Sequence, residues 1–182
     1  MPENSAAEND LNAALTKSRD ETRGAFANRA LMYLHLFEVL REELGEDRAV
    51  DVMKRAIYRR GLEVGEKYRP AGEAGDLDEV GRIFCEGSPC EGALFEPGVE
   101  GREEDVIVLR MTACPLVETW RGAGASPSEI DTLCAIAAAV DEGTFAGAGL
   151  DLVFLDRLGR PGAHRCLLEL RVAEASEGET DG

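Results

Sequence analysis

The chain has 182 residues, and its 36 Asp and Glu against 20 Lys and Arg give a formal net charge of −16. A phosphate backbone or an anionic membrane surface is bound through a basic face, so this charge argues against nucleic acid and membrane as partners. The hydrophobic fraction of 44% is enough for a core, and the length is that of one domain.

The first 20 residues lack the basic and apolar regions of an export signal, and no apolar run reaches the roughly 18 residues of a membrane span. We therefore expect a cytoplasmic protein. Its five cysteines would then be reduced thiols, because disulfides are rare in that compartment and five is an odd number.

Composition divides the chain into three parts. Residues 1–20 and 174–182 are polar and charged, which predicts a mobile acidic N-terminal segment and a disordered tail. Between them, residues 21–173 are predicted to form a single α+β domain.

The first part of this domain, residues 21–85, is predicted to be helical. Apolar residues spaced three and four apart indicate a long helix that ends at Gly45 and a second helix that ends near Pro70. A third helix is predicted over residues 76–84.

The remainder, residues 90–173, has the pattern of a sheet with two inserted helices. A weak strand is predicted over residues 93–96 and a strong β-branched strand over residues 105–112. Gly98 and Gly101 would form the turn between them.

The two inserted helices have clear start signals. Pro115 suits the first helical position, which makes Cys114 the N-cap of a short helix. Ser126 and Glu129 form a capping box that starts a helix over residues 127–140.

A closing hairpin with a turn at residues 159–162 ends the domain, and its last strand is predicted over residues 163–172. The element order favours N-terminal helices plus a four-stranded, mostly antiparallel sheet covered by helices.

Cys114 is open to two interpretations. An exposed thiol at a helix N-terminus would have a lowered pKa and act as a nucleophile. Alternatively, Cys114 is a small buried hydrophobe at the end of a strand, which is the commoner state of a free cysteine.

On the last strand, alternation places His164 and Cys166 on the same core-facing side. His164 could act as a base or as half of a metal pair. The alternative, which the residues favour, is a core histidine hydrogen-bonded to a backbone carbonyl.

Two carboxylates lie at helical distances from cysteines. Asp141 follows Cys134 by seven residues, and Glu118 follows Cys114 by four. Either carboxylate could be a general base or could orient one, and the alternative for each is a solvated acid.

A metal site finds little support in the sequence. Cys85 and Cys90 lie close together in a Gly/Pro loop, but a zinc site needs four ligands, and the other cysteines and His164 come from scattered elements. Nucleotide-binding and metalloprotease motifs are absent. We expect no metal and no cofactor.

The segments CPLVETW and LCAIAAAVDEGTFAGAGL and the closing CLLEL strand resemble the L-2-amino-thiazoline-4-carboxylic acid hydrolase family. The resemblance is best over residues 112–170, and a looser match covers the helix that contains Arg60, Gly61 and Gly65. In the family pattern a histidine follows the cysteine of the last strand, whereas here His164 precedes it.

The resemblance implies a small-molecule hydrolase that opens a cyclic amidine-like C–N bond of a thiazoline ring on the route to cysteine. The residues carried over as catalytic are Cys114, Glu118, Cys134, Asp141 and Cys166. Substrate contacts are expected at Arg60 and His164.

The main alternative is a non-catalytic domain that binds a small molecule or senses metal or redox state through its cysteines. Such a protein would bind zinc or respond to oxidation and turn nothing over. An interaction module is a third class, for which no residue pattern speaks. The sequence leaves open whether the chain forms a homo-oligomer.

Overall fold

A computed structural model of the chain describes residues 3–173, with side chains from residue 9 onward. Residues 1–2 and 174–182, which include the predicted disordered tail, lie outside the described residues. The elements are α1 (Glu3–Leu44), α2 (Glu46–Gly65), α3 (Arg69–Glu73), α4 (Leu77–Glu86), β1 (Pro97–Glu103), β2 (Val106–Met111), α5 (Pro115–Gly122), α6 (Pro127–Ala137), α7 (Ala139–Gly147), β3 (Leu150–Asp156) and β4 (Cys166–Val172). None of the helices within this range is both long and apolar enough to span a membrane.

The sequence predicts that the first helix begins near residue 21, but helix α1 begins at Glu3. Residues 3–20 contain no proline or glycine and several alanines and leucines, which favour a helix without burial. Side chains at 9–20 are exposed, and the prediction missed this part because it relied on a buried apolar face. The mobility predicted for residues 1–20 is a separate property and stays a prediction.

The four strands form one antiparallel sheet in the order β1-β2-β4-β3. Leu109 and Leu168, which are partners across β2 and β4, are fully buried on one face beneath the helices. On the other face Val153 remains 53% exposed. The predicted α+β fold, with N-terminal helices and a four-stranded antiparallel sheet covered by helices, is confirmed.

The predicted strand over residues 93–96 is wrong. This segment forms turns, in which the N–H groups of its last two residues donate to the carbonyl oxygen of Gly92. Strand β1 follows it, so Gly98 and Gly101 lie inside a strand, with a bulge between Val99 and Gly101. Strand β1 is a mostly exposed edge strand, which is why it lacks the apolar alternation on which the prediction relied.

The start signals between β2 and β3 are confirmed. Cys114 is the N-cap of α5 with Pro115 at the first helical position, and Ser126 and Glu129 form a reciprocal capping box at the start of α6. Three helices rather than two are inserted here, because Ala138 ends α6 and begins α7.

The last strand is shorter than predicted, since β4 begins at Cys166. Cys166, Leu168 and Leu170 face the core, as their alternation predicts. His164 lies two residues before the strand and is exposed. The alternation that placed it beside Cys166 therefore does not extend to its position.

Helices α2 and α7 pack backbone to backbone through paired glycines. A methyl group at Gly61 would collide with the carbonyl oxygen of Val140, and one at Gly65 would lie 2.5 Å from the carbonyl oxygen of Thr144. From the opposite side, a methyl group at Gly143 would collide with the backbone of α2. At these three positions no side chain larger than hydrogen fits, and at Gly147 a methyl group would make a tight contact of 3.0 Å with the carbonyl oxygen of Leu62. We call the four residues Gly61, Gly65, Gly143 and Gly147 the glycine seam.

Filling the glycine seam should destabilise the fold. We expect Gly61→Ala to lower the free energy of unfolding by about 2–3 kcal/mol, because the added methyl group forces α2 away from α7. Gly24→Ala is the matched control: Gly24 lies inside α1 with no atom within 4 Å of the new methyl group, so alanine should stabilise by up to about 1 kcal/mol. Equal melting temperatures for the two variants would contradict the seam.

Removing both ends should leave the domain intact. Deletion of residues 1–18 and 175–182 retains Arg19, which bonds Glu91 at 3.0 Å, and the side chains that it removes at residues 9–18 are exposed. We expect an unchanged melting temperature by calorimetry. A large fall, or a change of molecular mass in solution, would instead show that one end packs against the domain or a second copy.

Candidate functional site

A cavity of about 230 Å³ lies between the sheet and the helices. Most of its wall is apolar, including aromatic side chains from α1, α4, β3 and the loop before β1. These are Phe26, Phe84, Phe95 and Phe154. The polar groups that reach the interior are therefore surrounded mostly by apolar side chains.

Four of the candidate residues line this cavity although they come from four different elements. Cys114 lies between β2 and α5, Cys134 on α6, Asp141 in the first turn of α7 and Cys166 at the start of β4. The structure thus brings three thiols and one carboxylate to a single interior surface.

The three thiols are held in their neutral form. Burial raises the pKa of Cys114 to about 11 and that of Cys166 to about 12, and it also raises the pKa of Cys134. The Leu158 N–H donates to the sulfur of Cys166 at 3.3 Å, which opposes the rise without cancelling it.

The interpretation of Cys114 as a thiol with a lowered pKa is therefore wrong. Its position as N-cap is as predicted, and the Leu116 and Val117 N–H groups do lower its pKa. The side chain makes no capping hydrogen bond, and desolvation in the half-buried site outweighs the effect of the helix terminus.

Asp141 is the titratable group of the cavity that changes charge near neutrality. Burial raises the pKa of its carboxyl group from the usual 3.8 to about 7, and the charge of Glu142 adds to the rise. Among the described residues no donor bonds this carboxylate, and no fully buried side-chain oxygen lacks a partner. Its oxygens are therefore open to the cavity.

Tyr68 also lines the cavity, close enough to Asp141 for their charges to interact. Burial, followed by the charges of Asp141 and Cys85, raises the pKa of its hydroxyl group well above the usual range. Tyr68 therefore stays protonated and can donate a hydrogen bond into the cavity. Its ring packs on Phe145, with centroids 5.5 Å apart.

Three predicted site residues lie away from this cavity. Glu118 is exposed and pairs with Arg23 at 3.2 Å. Cys114 is the N-cap of α5 and has extended backbone angles, so the helical spacing of four residues does not place Glu118 on the same side as Cys114. Arg60 is exposed and pairs with Glu63 at 2.6 Å, since its neighbour Gly61 is the residue that faces α7.

His164 is the third. It is exposed in the irregular segment between the hairpin turn and β4, and it does not line the cavity. The cavity thus offers no histidine as a base, and Asp141 is the acid–base group among its lining residues.

Sequence reasoning missed Tyr68, Arg29 and Arg157, which line the same cavity. Tyr68 follows the end of α2, and Arg157 follows β3 in the closing hairpin. No local motif marks them, because each reaches the cavity only through tertiary packing. Arg29 could have been found from its spacing, since it follows Phe26 by about one turn of α1.

In the part of the chain that the structure describes, no three His, Cys, Asp or Glu side chains lie together as a metal site requires. Cys85 and Cys90 are half-buried near the loop before β1.

Comparison with known proteins adds a family. The model of the family described as L-2-amino-thiazoline-4-carboxylic acid hydrolase matches residues 25–167. The match begins within α1 and ends within β4, so it includes Cys114, Cys134, Asp141 and Cys166. Among curated proteins, none matches the chain.

The raised thiol pKa values predict the order of alkylation. With iodoacetamide near neutral pH, Cys114, Cys134 and Cys166 should react more slowly than Cys90, which is half-buried in a surface turn. Mass spectrometry of timed digests measures the order, and the unfolded protein, in which all cysteines should react alike, is the control. Fastest reaction at Cys114 would contradict the burial argument.

Asp141→Asn should stabilise the fold in a pH-dependent manner. The unfolded chain loses the Asp141 proton near pH 4, whereas the folded chain keeps it to about pH 7, so stability falls as pH rises between these values. Asparagine cannot ionise. Its stabilising effect should be larger at pH 8 than at pH 5 by about 2–3 kcal/mol.

Melting temperatures of both proteins at the two pH values test this. Asp151→Asn, on the exposed side of β3, is the control and should change stability equally at both. An equal effect of Asp141→Asn at pH 5 and pH 8 would show that Asp141 ionises normally.

Proposed function

We propose that this chain, which belongs to the L-2-amino-thiazoline-4-carboxylic acid hydrolase family, is a hydrolase. Its proposed reaction opens the ring of a small cyclic amidine of the thiazoline type. The observation that carries the proposal is an Asp141 carboxyl group with a pKa of about 7 that opens into an apolar cavity. A general base works best when its pKa lies near the working pH.

The cavity volume supports a small substrate. Pockets that bury drug-sized ligands hold roughly 300–1,000 Å³, and this cavity of about 230 Å³ is smaller. Its aromatic and thiol-lined wall suits a compact, sulfur-containing ring, since cysteine behaves as a small hydrophobe. A cavity of this volume is too small to hold a macromolecular substrate.

In the proposed reaction, ionised Asp141 removes a proton from a water molecule as the water oxygen bonds to the amidine carbon. As this bond forms, the electron pair of the C=N π bond moves to its nitrogen, which takes up the proton of the newly added hydroxyl group. The tetrahedral centre then collapses to a carbonyl by breaking one ring bond to that carbon, and the departing nitrogen or sulfur receives the proton from Asp141. Asp141 is thereby ionised again, so the cycle consumes one water and leaves the enzyme unchanged. Tyr68 can donate a hydrogen bond to the negative charge that develops.

We assign the attack to water rather than to a thiolate of Cys114. With a pKa of about 11, roughly one Cys114 in ten thousand is ionised at pH 7. Direct attack by Cys114 would need Asp141 to remove the thiol proton first, and it would pass through a covalent carbon–sulfur bond. In this mechanism Cys134 and Cys166 are part of the apolar wall that reduces the solvation of Asp141.

The alternative function, a non-catalytic binding or sensing domain, rests on the three thiols around one cavity. A sensor needs its thiols in reactive form, but burial raises the pKa of all three. Binding of a ligand without any turnover would favour this alternative. The cytoplasmic location expected from the sequence is part of the proposal in either case.

The proposal predicts the pH profile of turnover. With 2-amino-thiazoline-4-carboxylic acid as substrate, kcat/KM should rise with pH and level off above an inflection near 7, because Asp141 must be ionised to act as base. Asp141→Asn should lower kcat by about 10²- to 10⁴-fold.

Glu142→Gln is the matched control. Glu142 is adjacent in α7 and pairs with Lys54 at 3.8 Å, and its charge raises the pKa of Asp141. This variant should keep its turnover and move the inflection to lower pH. Cys114→Ser should retain activity if water attacks and should abolish it if the thiol attacks. Full activity in Asp141→Asn would remove Asp141 from the mechanism.

A further inference from the structure

The guanidinium group of Arg29 has no part in the proposed ring opening. Arg29 projects from α1 at the exposed mouth of the cavity. Within the described residues it forms no ion pair, whereas most arginines of this acidic chain pair with a carboxylate. A charge left without a partner in a chain with 36 acidic residues is available to a ligand.

The second cation of the cavity is not available in the same way. Arg157 donates to Asp131 at 3.1 Å, and its side chain is only 14% exposed. The charge of this pair is neutralised before any ligand enters. An anionic ligand would therefore find its free counter-charge at Arg29.

Arg29 is also held in place without using its N–H groups. Its guanidinium carbon lies 4.8 Å from the centre of the Phe26 ring, and this ring packs edge-on against Phe95 at 5.2 Å. A cation–π contact engages the face of the ring and leaves the hydrogen-bond donors free. At the next residue of the helix, the Trp120 N–H donates to the carbonyl oxygen of Ala30 at 2.8 Å and fixes this part of α1 to the domain.

We infer that Arg29 forms a carboxylate-binding subsite at the mouth of the cavity and selects substrates that carry a carboxyl group beside the ring. The identity of the ring rests on the proposed function, but the subsite itself rests on Arg29. Its planar fork of donors matches the two oxygens of a carboxylate. Asp141 lines the same cavity, so a small molecule whose carboxylate is bound at Arg29 would place its ring in the cavity that holds the base.

The overall charge makes such a subsite necessary for an anionic substrate. A net charge of −16 repels anions from the surface, so capture depends on local positive charge. A carboxylate bound at Arg29 also holds the ring in one orientation, with its reactive carbon inside the cavity. A ring without the carboxylate would lose both the attraction and the orientation.

The test compares two probes, 2-amino-thiazoline-4-carboxylic acid and 2-amino-2-thiazoline, which lacks the carboxyl group. Arg29→Gln should raise KM for the acid by about 10- to 100-fold, as expected for loss of a hydrogen-bonded ion pair, with little change in kcat. It should leave kinetics for the uncharged ring unchanged. Arg59→Gln, on the exposed surface of α2 away from the cavity, is the matched control and should change neither.

Binding of both probes to Asp141→Asn, measured by calorimetry with and without Arg29→Gln, separates this inference from the proposed function. One outcome is that the wild-type protein turns over neither probe, while Asp141→Asn binds the acid more tightly than the uncharged ring and Arg29→Gln removes this difference. That outcome would support the subsite and overturn the hydrolase. Turnover of the acid that Arg29→Gln leaves unchanged would overturn the subsite and keep the hydrolase. Absence of any binding or turnover would overturn both.

Discussion

The contact on which the site depends is the glycine seam between α2 and α7. Two helices approach this closely only where neither carries a side chain at the crossing, and here the carbonyl oxygens of one helix occupy the space that a methyl group would need on the other. Asp141 lies two residues before Gly143, so the seam fixes its backbone. The side chains of the cavity wall then determine the position of its carboxyl group.

The same packing determines the chemistry of the cavity. A carboxylate in the first turn of a helix is ordinarily stabilised by the helix dipole, yet Asp141 has its pKa raised to about 7 because burial outweighs that effect. Cys114 shows the same outcome at the N-terminus of α5. Desolvation exceeds the dipole at both helix termini, which leaves neutral thiols around one carboxyl group that can change charge near pH 7.

This arrangement costs stability. At pH 8 the folded protein holds an ionised carboxylate in an apolar cavity, a penalty that the unfolded chain does not have. Proteins retain such penalties where a group must act rather than pack. In our account the buried thiols are part of that environment, since they are small, weakly polar and neutral.

Much of this could be predicted from the sequence where the signal is local. The N-cap at Cys114, the capping box at Ser126 and the core-facing alternation from Cys166 are confirmed, because each depends on neighbouring residues. The spacing of Cys134 and Asp141 also placed both on the cavity, although a helix boundary at Ala138 separates them.

The rest depends on tertiary packing. The place of Tyr68 in the cavity could not be predicted, because a spacing pattern does not show what covers a group. For Cys114 the sequence left both an exposed and a buried thiol open, and the packing around it decides for the buried thiol with its raised pKa. Glu118 and Arg60 were selected by proximity along the chain, and both face outward. Strand β1 was misplaced because an exposed edge strand carries no apolar alternation.

The most direct test of the central claim is a measurement of the Asp141 titration itself. Protein labelled with ¹³C at the aspartate carboxyl carbons gives one NMR signal per aspartate, and Asp141→Asn identifies the signal that belongs to Asp141. This signal should titrate with a midpoint near pH 7. A midpoint near 4 would show that the carboxyl group is solvated, and it would contradict the assignment of Asp141 as the base.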